Sequence, residues 1–444
     1  MSKQLPDMLD ALLECARKAG AEHADATAHR SNSLQETVRL GKLESIERSE
    51  SAGLGLRVLI GKRQASVASG KLDATDFPML AERAVAMARL APEDEWCGLA
   101  EASDSTDGAD LELDDGFEAD ESLLHERAQE TEETAMAFKG VTNSEGATAS
   151  WSRGDLAFAN SKGFSGGYRV SSHQLVCVVV AEKDGVKERD YAYSTMRHFK
   201  DLETPEAVGR EASERVLARM GARKPQGAQL PVVFDERVAS SLLRHFAQAV
   251  SGASVARGVS FLEKHLDKPV FHESIDILDD PLRPRGLSSR PFDDEGVTGK
   301  RLLLIEDGVL KSWLLDSASG RQLGLASTGH ASRSAAEPPS PAPSNLHMLP
   351  GRVNKDELIA DIGQGLYVTE LIGMGVNPVT GDYSRGAAGF WIEDGKVTYP
   401  VNEVTIAGNL KDMFAHITPA DDIRFRLSVN APSLRIEGMT IAGL

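Results

Sequence analysis

Residues Gly373–Met413 read GMGVNPVTGDYSRGAAGFWIEDGKVTYPVNEVTIAGNLKDM. Inside this stretch Asp394-Gly395 stands between two strand-like runs, Gly389–Ile392 and Lys396–Pro400. Asp-Gly supplies the two positive φ angles of a tight reversal, so an antiparallel hairpin is predicted. Asp307-Gly308 repeats the signal between Leu302–Ile305 and Val309–Leu315. Just upstream, Pro231–Phe234 reads as a short strand and Asp235 as the cap of a helix, Glu236–Val250, which Ser251-Gly252 breaks. Strands cluster here instead of alternating with helices. The predicted class is α+β, with residues 229–444 a C-terminal domain dominated by antiparallel β-sheet.

Working outward to the N-terminus, Leu5, Met8, Leu9, Leu12, Leu13 and Ala16 fall at helical spacing and predict a helix over Leu5–Ala19. Short strands are expected at Leu34–Leu40, Leu43–Glu50, Leu54–Ile60 and Gln64–Ser69, punctuated by Gly41, Gly53, Gly61 and Gly70. Thr75 or Asp76 can cap a second helix that Pro92 stops. Residues 1–92 thus form an N-terminal α–β meander–α unit. Glu93–Asp120 holds twelve acids and no Lys or Arg. The acids lack a calcium-loop spacing, so 93–120 is expected to be a solvated acidic linker.

Residues 121–225 read as a middle α/β hairpin segment. A helix Glu121–Lys139 ends at Gly140, and Thr204-Pro205 starts another that ends at Gly221. Between them, Asn143-Ser144-Glu145-Gly146 and Asn160-Ser161-Lys162-Gly163 are both expected to be hairpin turns, followed by a long strand through Tyr168–Val180. Farther on, Ala331–Ser344 (ASRSAAEPPSPAPS) is predicted to be an exposed loop.

With 49 Lys plus Arg against 67 Asp plus Glu, the formal charge is −18. That balance disfavours nucleic acid and anionic membrane surfaces, whose affinity comes mostly from basic side chains. Hydrophobic residues are 41% and charged residues 26%, which excludes a wholly disordered chain. Cys15, Cys97 and Cys177 are too few and too widely spaced for a disulfide framework or zinc knuckle. The opening MSKQLPDMLDALLECARKAG has no apolar h-region. The expectation is a reduced, cytoplasmic protein.

Catalytic motifs are scarce. His272-Glu273 is followed by Asp276 and Ile277 where a zinc peptidase would place its second His. Gly163–Gly167 mimics a nucleophile elbow but precedes a strand. Gly373-Met374-Gly375 lacks the third glycine of a dinucleotide fingerprint, and Gly299-Lys300 lacks the upstream glycine of a phosphate loop.

The phrases VTGDYSRGAAGFWIEDG and PVNEVTIAGNLKDMF, with LGLASTG at Leu323–Gly329, NSKGF at Asn160–Phe164 and PSLRIEGMTIAG at Pro432–Gly443, strongly resemble the TldD/PmbA family, in its PmbA (TldE) branch. The resemblance spans essentially the whole chain. It implies a subunit of a cytoplasmic two-chain metalloprotease that handles peptides and unfolded proteins. In the TldD branch a helix bearing HExxxH and a C-terminal cysteine hold zinc, with the Glu activating water. Here the counterpart helix Val238–Val250 puts Leu243, Arg244 and Gln248 where His, Glu and His would stand. His245 is two residues out of place, about 200° around the helix. No cysteine lies beyond Cys177. The chain is therefore expected to hold no catalytic residue and no metal, the zinc belonging to a TldD-type partner.

A heterodimer with that partner is implied, or a homodimer when alone. The sheet-rich C-terminal domain is expected to help bind an extended peptide by strand addition. The glycine-flanked loop residues Thr380, Asp382, Tyr383, Ser384 and Arg385 are the candidates for lining a peptide cleft. A non-proteolytic peptide- or protein-binding homodimer, in the sense of the older label "modulator of DNA gyrase", is the alternative.

Overall fold

A computed structural model describes residues 4–101 and 110–443 of the chain. Helix α1 (Gln4–Ala19) leads into three antiparallel strands, β1 (His23–Arg39), β2 (Lys42–Ile60) and β3 (Arg63–Ser69), and then α2 (Phe77–Leu90). After α3 (Glu121–Met136) come β4 (Val141–Asn160), β5 (Ser165–Lys183), β6 (Val186–Met196) and α4 (Pro205–Ala218). The strands are far longer than expected, because Gly53 sits inside β2 and does not break it.

β1 pairs along its length with both β2 and β4, so residues 1–92 and 121–225 build one six-stranded sheet in the order β3-β2-β1-β4-β5-β6. Alternation then decides what each face meets. Ala24, Ala26 and Ala28 of β1 pack under α1 and α2, and Leu34 and Val38 of the same strand pack under α3 and α4. The odd-numbered residues, Asp25 among them, face the opposite side.

Two sequence expectations fail here. Asn143–Gly146 is not a turn. β4 runs straight through it with two register shifts, and Gly146 adopts φ 114° at the irregularity. Asn and Gly serve a bulge as well as a reversal, which is why the local sequence misleads. Asn160–Gly163 does turn, joining β4 to β5.

The acidic connector is likewise not a solvated linker. Residues 102–109 of it lie outside the described residues. In the rest, Cys97, Leu99, Ala100, Leu111, Leu113 and Ala119 are buried. Asp114 pairs with Arg153 at 3.0 Å and Glu112 with Arg285 at 2.9 Å. These two acids are met by arginines from distant segments, a pairing that no local reading contains, while Glu95, Asp110 and Asp120 stay exposed.

The last half begins with β7 (Ala228–Phe234) and α5 (Glu236–Ala249), whose cap is Asp235, accepting from the Arg237 N–H at 3.0 Å. Next come β8 (Ile277–Asp279), the hairpin β9 (Leu302–Glu306) and β10 (Val309–Leu310), the small pair β11 (Ala331–Ser332) and β12 (Ser340–Pro341), and β13 (Leu346–Met348). The chain continues through β14 (Gln364–Ile372), β15 (Asp382–Glu393), β16 (Lys396–Asn409), β17 (Ile417–Pro419), β18 (Val429–Asn430) and β19 (Leu434–Gly443). Both Asp-Gly reversals form with positive φ at each residue, 48° and 75° at Asp307-Gly308, 47° and 73° at Asp394-Gly395.

Strands β8, β9, β10, β13 and β18 form one small sheet, and β16-β15-β14-β7-β19-β17 form another. Because β16 also pairs with β19, the second sheet closes on itself. Gly389 is a requirement of that sheet, since a Cβ there would stand 1.9 Å from the Tyr367 carbonyl oxygen. One face packs on α5 through Leu242, Leu243 and Phe246. The other is covered by a short helix, Lys355–Ile359.

Closure covers most of the open edge that strand addition needs. Among the described residues, the sheet leaves unpaired the outer side of three-residue β17, the β7 side of β14 after Val368, and the start of β16, where the Pro400 carbonyl already accepts from the Arg223 N–H at 2.9 Å. The free side of β6 is blunted too. The Tyr191 N–H donates to Asp190 at 2.8 Å, and its carbonyl accepts from Arg215 at 3.0 Å. Charged side chains commonly guard edges in this way.

The segment Ala331–Ser344 is exposed at Ser334, Ala336, Glu337, Pro338 and Ser340, as expected, but it is anchored at its ends. Ala331 and Ser344 are buried, and Arg333 reaches Asp25 of β1 at 2.6 Å. It lies against the helix-free face of the six-stranded sheet and completes a helix–sheet–C-terminal sandwich. Among the described residues, no helix is long and apolar enough to cross a membrane.

Candidate functional site

Helix α5 decides where the cavity lies. Its spacing sends Ala239, Leu242, Leu243 and Phe246 into the core and leaves Arg244 and Gln248 exposed. The outward face borders a cavity of about 440 Å³ whose other walls are β6, the end of β14 and Arg385 of β15. Leu243, in the place of the first expected zinc ligand, points away from this cavity and is 1% exposed. Arg244, His245 and Gln248 line it.

One wall is a closed ion lattice. Arg219 pairs with Glu370 at 2.6 Å, Glu188 at 3.3 Å and Asp190 at 3.5 Å. Arg237 pairs with Asp190 at 3.1 Å and with Asp235 at 3.4 Å. Asp190 therefore anchors α5 and α4 to β6. Asp235 also accepts the Tyr367 hydroxyl, which fixes the start of α5 against β14.

The opposite wall is different. Among the described residues, neither Arg244 nor Arg385 has a carboxylate within 4.0 Å. His245 lies between them with its Nε2 buried and unpaired. Burial, then the charges of Arg385 and Arg244, hold its pKa below the usual imidazole value. Tyr383 is 1% exposed, its ring 6.1 Å from that of His245 at 79°. Burial pushes its phenol pKa up, and Arg385 beside it biases the hydroxyl electrostatically without meeting hydrogen-bond geometry.

The cleft candidates divide by strand alternation. Tyr383 and Arg385 point toward α5, and Arg385 enters the cavity. Thr380 and Asp382 close a turn instead: Thr380 Oγ1 donates to Asp382 at 2.6 Å, and Asn409 donates to Asp382 at 3.0 Å. Those bonds hold the Asp382 carboxyl below the usual range. Ser384 is exposed, its N–H donating to the Gly375 carbonyl at 2.7 Å.

Sequence reading missed Asp190, Arg219 and Glu370, because it missed β6 altogether. Asp184-Gly185, with φ 54° and 80°, was the available signal for the β5–β6 hairpin. A second hollow of about 670 Å³ adjoins the first across the Asp190–Arg237 pair. There burial and the neighbouring Asp235 push Glu236 up to about 7.

The residues do not fit zinc. Guanidinium groups repel a dication, and a single imidazole with an amide and a phenol is not a ligand set. Among the described residues, no three His, Cys, Asp or Glu stand together as a metal site. Cys15 belongs to α1 and Cys177 to β5, and Cys97 packs against Leu59, all away from the cavity.

Fold and cavity together define a three-layer α+β protein with a recessed hollow beside α5, lined on one side by Arg244, His245 and Arg385. The chain belongs to the PmbA/TldD metallopeptidase family. Its residues 24–88, 114–220 and 227–443 match, respectively, domain 1, the central domain and the C-terminal domain of PmbA/TldA metallopeptidases. It is 37% identical to the metalloprotease PmbA of Escherichia coli O157:H7, over 99% of this chain and 96% of that one. A crystal structure from Bacteroides thetaiotaomicron, of a candidate modulator of DNA gyrase, superposes with TM-score 0.89 at 26% identity, covering 99% of this chain and 98% of the other. TldE from Thermococcus kodakarensis shares the fold with TM-score 0.85 at 21% identity, over 98% of this chain and 100% of that one.

Proposed function

We propose that this chain is a PmbA/TldE-like, metal-free subunit of a cytoplasmic TldD/TldE-type metalloprotease that processes or degrades peptides and unfolded proteins. The observation that carries the reading is the orientation of α5. It buries Leu243, at the place of the first His, and presents Arg244 and Gln248 at the places of the water-activating Glu and the second His. Zinc then comes from a TldD-type partner, and this chain contributes by shaping the shared cleft or stabilising the partner. Extended peptide is held by side chains, by the partner and by strand addition at the end of β14 after Val368, which borders the cavity unpaired. A non-proteolytic peptide- or protein-binding homodimer is the second reading; the gyrase-modulator name of a 26% identical structural neighbour favours it.

The test is to mix the purified chain with a TldD-type partner and follow size by light scattering and turnover of a peptide substrate. A heterodimer whose turnover exceeds that of the partner alone is expected. A chelator should abolish that turnover yet leave the thermal midpoint of the isolated chain unchanged. No association and no change in turnover would favour the homodimer reading.

A further inference from the structure

Two side chains that line the α5 cavity carry buried polar atoms without hydrogen-bond partners, His245 Nε2 and Arg385 Nε. Buried polar groups are normally satisfied, so a cluster of orphans marks a place where something else supplies the acceptor. Beside them is Arg244, whose charge no acid answers among the described residues. The contrast with the facing wall is sharp in chemical terms, since Arg219 and Arg237 there are already neutralised by Asp190, Glu188, Asp235 and Glu370.

We propose that Arg244, Arg385 and His245 form a carboxylate-binding site, which takes the C-terminal carboxylate of an extended peptide. Two guanidinium groups match the two acceptor oxygens of a carboxylate, and such charge-assisted bonds are the strong ones. In its Nε2–H tautomer the imidazole adds a third donor from the orphaned Nε2. Leu371 and Met374 border the same cavity and offer apolar surface to the residue that carries the carboxylate. A cation would be repelled by the same wall. Peptide as the carrier rests on the function proposed above. Carboxylate binding is measured on this chain alone, so its failure and a failure to activate a partner are separate results.

The experiment uses the full chain and three probes: N-acetyl-tetraalanine with a free C-terminal carboxylate, the same peptide as its amide, and an amidated tetrapeptide with one glutamate. Binding heat and the His245 imidazole NMR signals are the readouts. The free-acid peptide should bind and move those signals, and the plain amide should bind at least about tenfold more weakly, the loss expected of one charge-assisted contact. Binding of the glutamate peptide as tightly as the free acid would assign the site to acidic side chains and overturn the terminal-carboxylate proposal.

Arg244→Gln, on the exposed face of α5, should weaken the free acid without unfolding the chain, and Arg385→Gln should do the same more strongly. Equal binding of acid and amide, or unmoved His245 signals at about millimolar peptide, would overturn the proposal.

Discussion

Arginine is used in two opposite ways in this molecule. Where the C-terminal half meets the six-stranded sheet, Arg57 and Arg333 are 4% and 3% exposed, and both close on Asp25. Burial opposes ionisation of Asp25, yet the two guanidinium groups hold its carboxyl below the usual range. In the α5 cavity, Arg244 and Arg385 face solvent-reachable space, and among the described residues no carboxylate lies within 4.0 Å of either. The first pair is architecture, because a buried charge left alone would be very costly. The second is tolerable only where water or a ligand can reach it. Pairing, more than residue type, separates the framework from the site.

The largest test of this contrast is Asp25→Ala. It takes the carboxylate from the buried Arg333 guanidinium and leaves Arg57 with only Gln64 at 3.2 Å and Glu295 at 4.0 Å, and should cost about 3–5 kcal/mol in urea unfolding. A cost below about 1 kcal/mol would show that the junction does not depend on its pairing. Glu295 sharpens the same region. Burial pushes it up to about 7, with Arg57 4.0 Å away pulling the other way.

Its folded pKa is above the ordinary glutamate value of 4.5, so the fold favours the proton. That contribution is complete below 4.5 and lost as pH rises through 7. Glu295→Gln should therefore match the parent at pH 5 and exceed it at pH 8 by up to ~3 kcal/mol, read from denaturation midpoints. An unchanged pH profile would mean that Glu295 is ionised throughout as a counter-charge to Arg57. The smallest effect belongs to the cavity: Arg244→Gln should move stability by less than about 0.5 kcal/mol. A larger loss would make Arg244 part of the framework after all.

Much of this was legible locally and some of it was not. Asp235 and Thr204 cap helices, and two Asp-Gly pairs turn hairpins, because those residues act through their own neighbouring backbone. Tyr383 and Arg385 could be named as candidates from a polar, glycine-flanked loop, but their separation from Thr380 and Asp382 needed the strand alternation of β15. The packing of Ala331–Ser344 turns on Arg333 meeting Asp25, which is 308 residues away. Closure through β16 and β19 is equally remote from any local pattern. His245 was visible as an imidazole out of register with a zinc motif. Its meeting with Tyr383 was not.

That closure also imposes an order on synthesis. β7 is made early in the C-terminal half, yet one of its two neighbours is β19, whose first residue Leu434 follows Phe234 by 200 positions. At roughly 5–20 residues per second, the ribosome leaves that edge waiting for about 10–40 s. β14 can pair with β7 in the meantime, but the other side stays open until the last strand arrives, as does the stretch of β16 that β19 will cover. For that interval the nascent chain displays the kind of bare β-edge that the finished protein has mostly covered, and it is then that a chaperone, or premature pairing with another copy, has its opportunity.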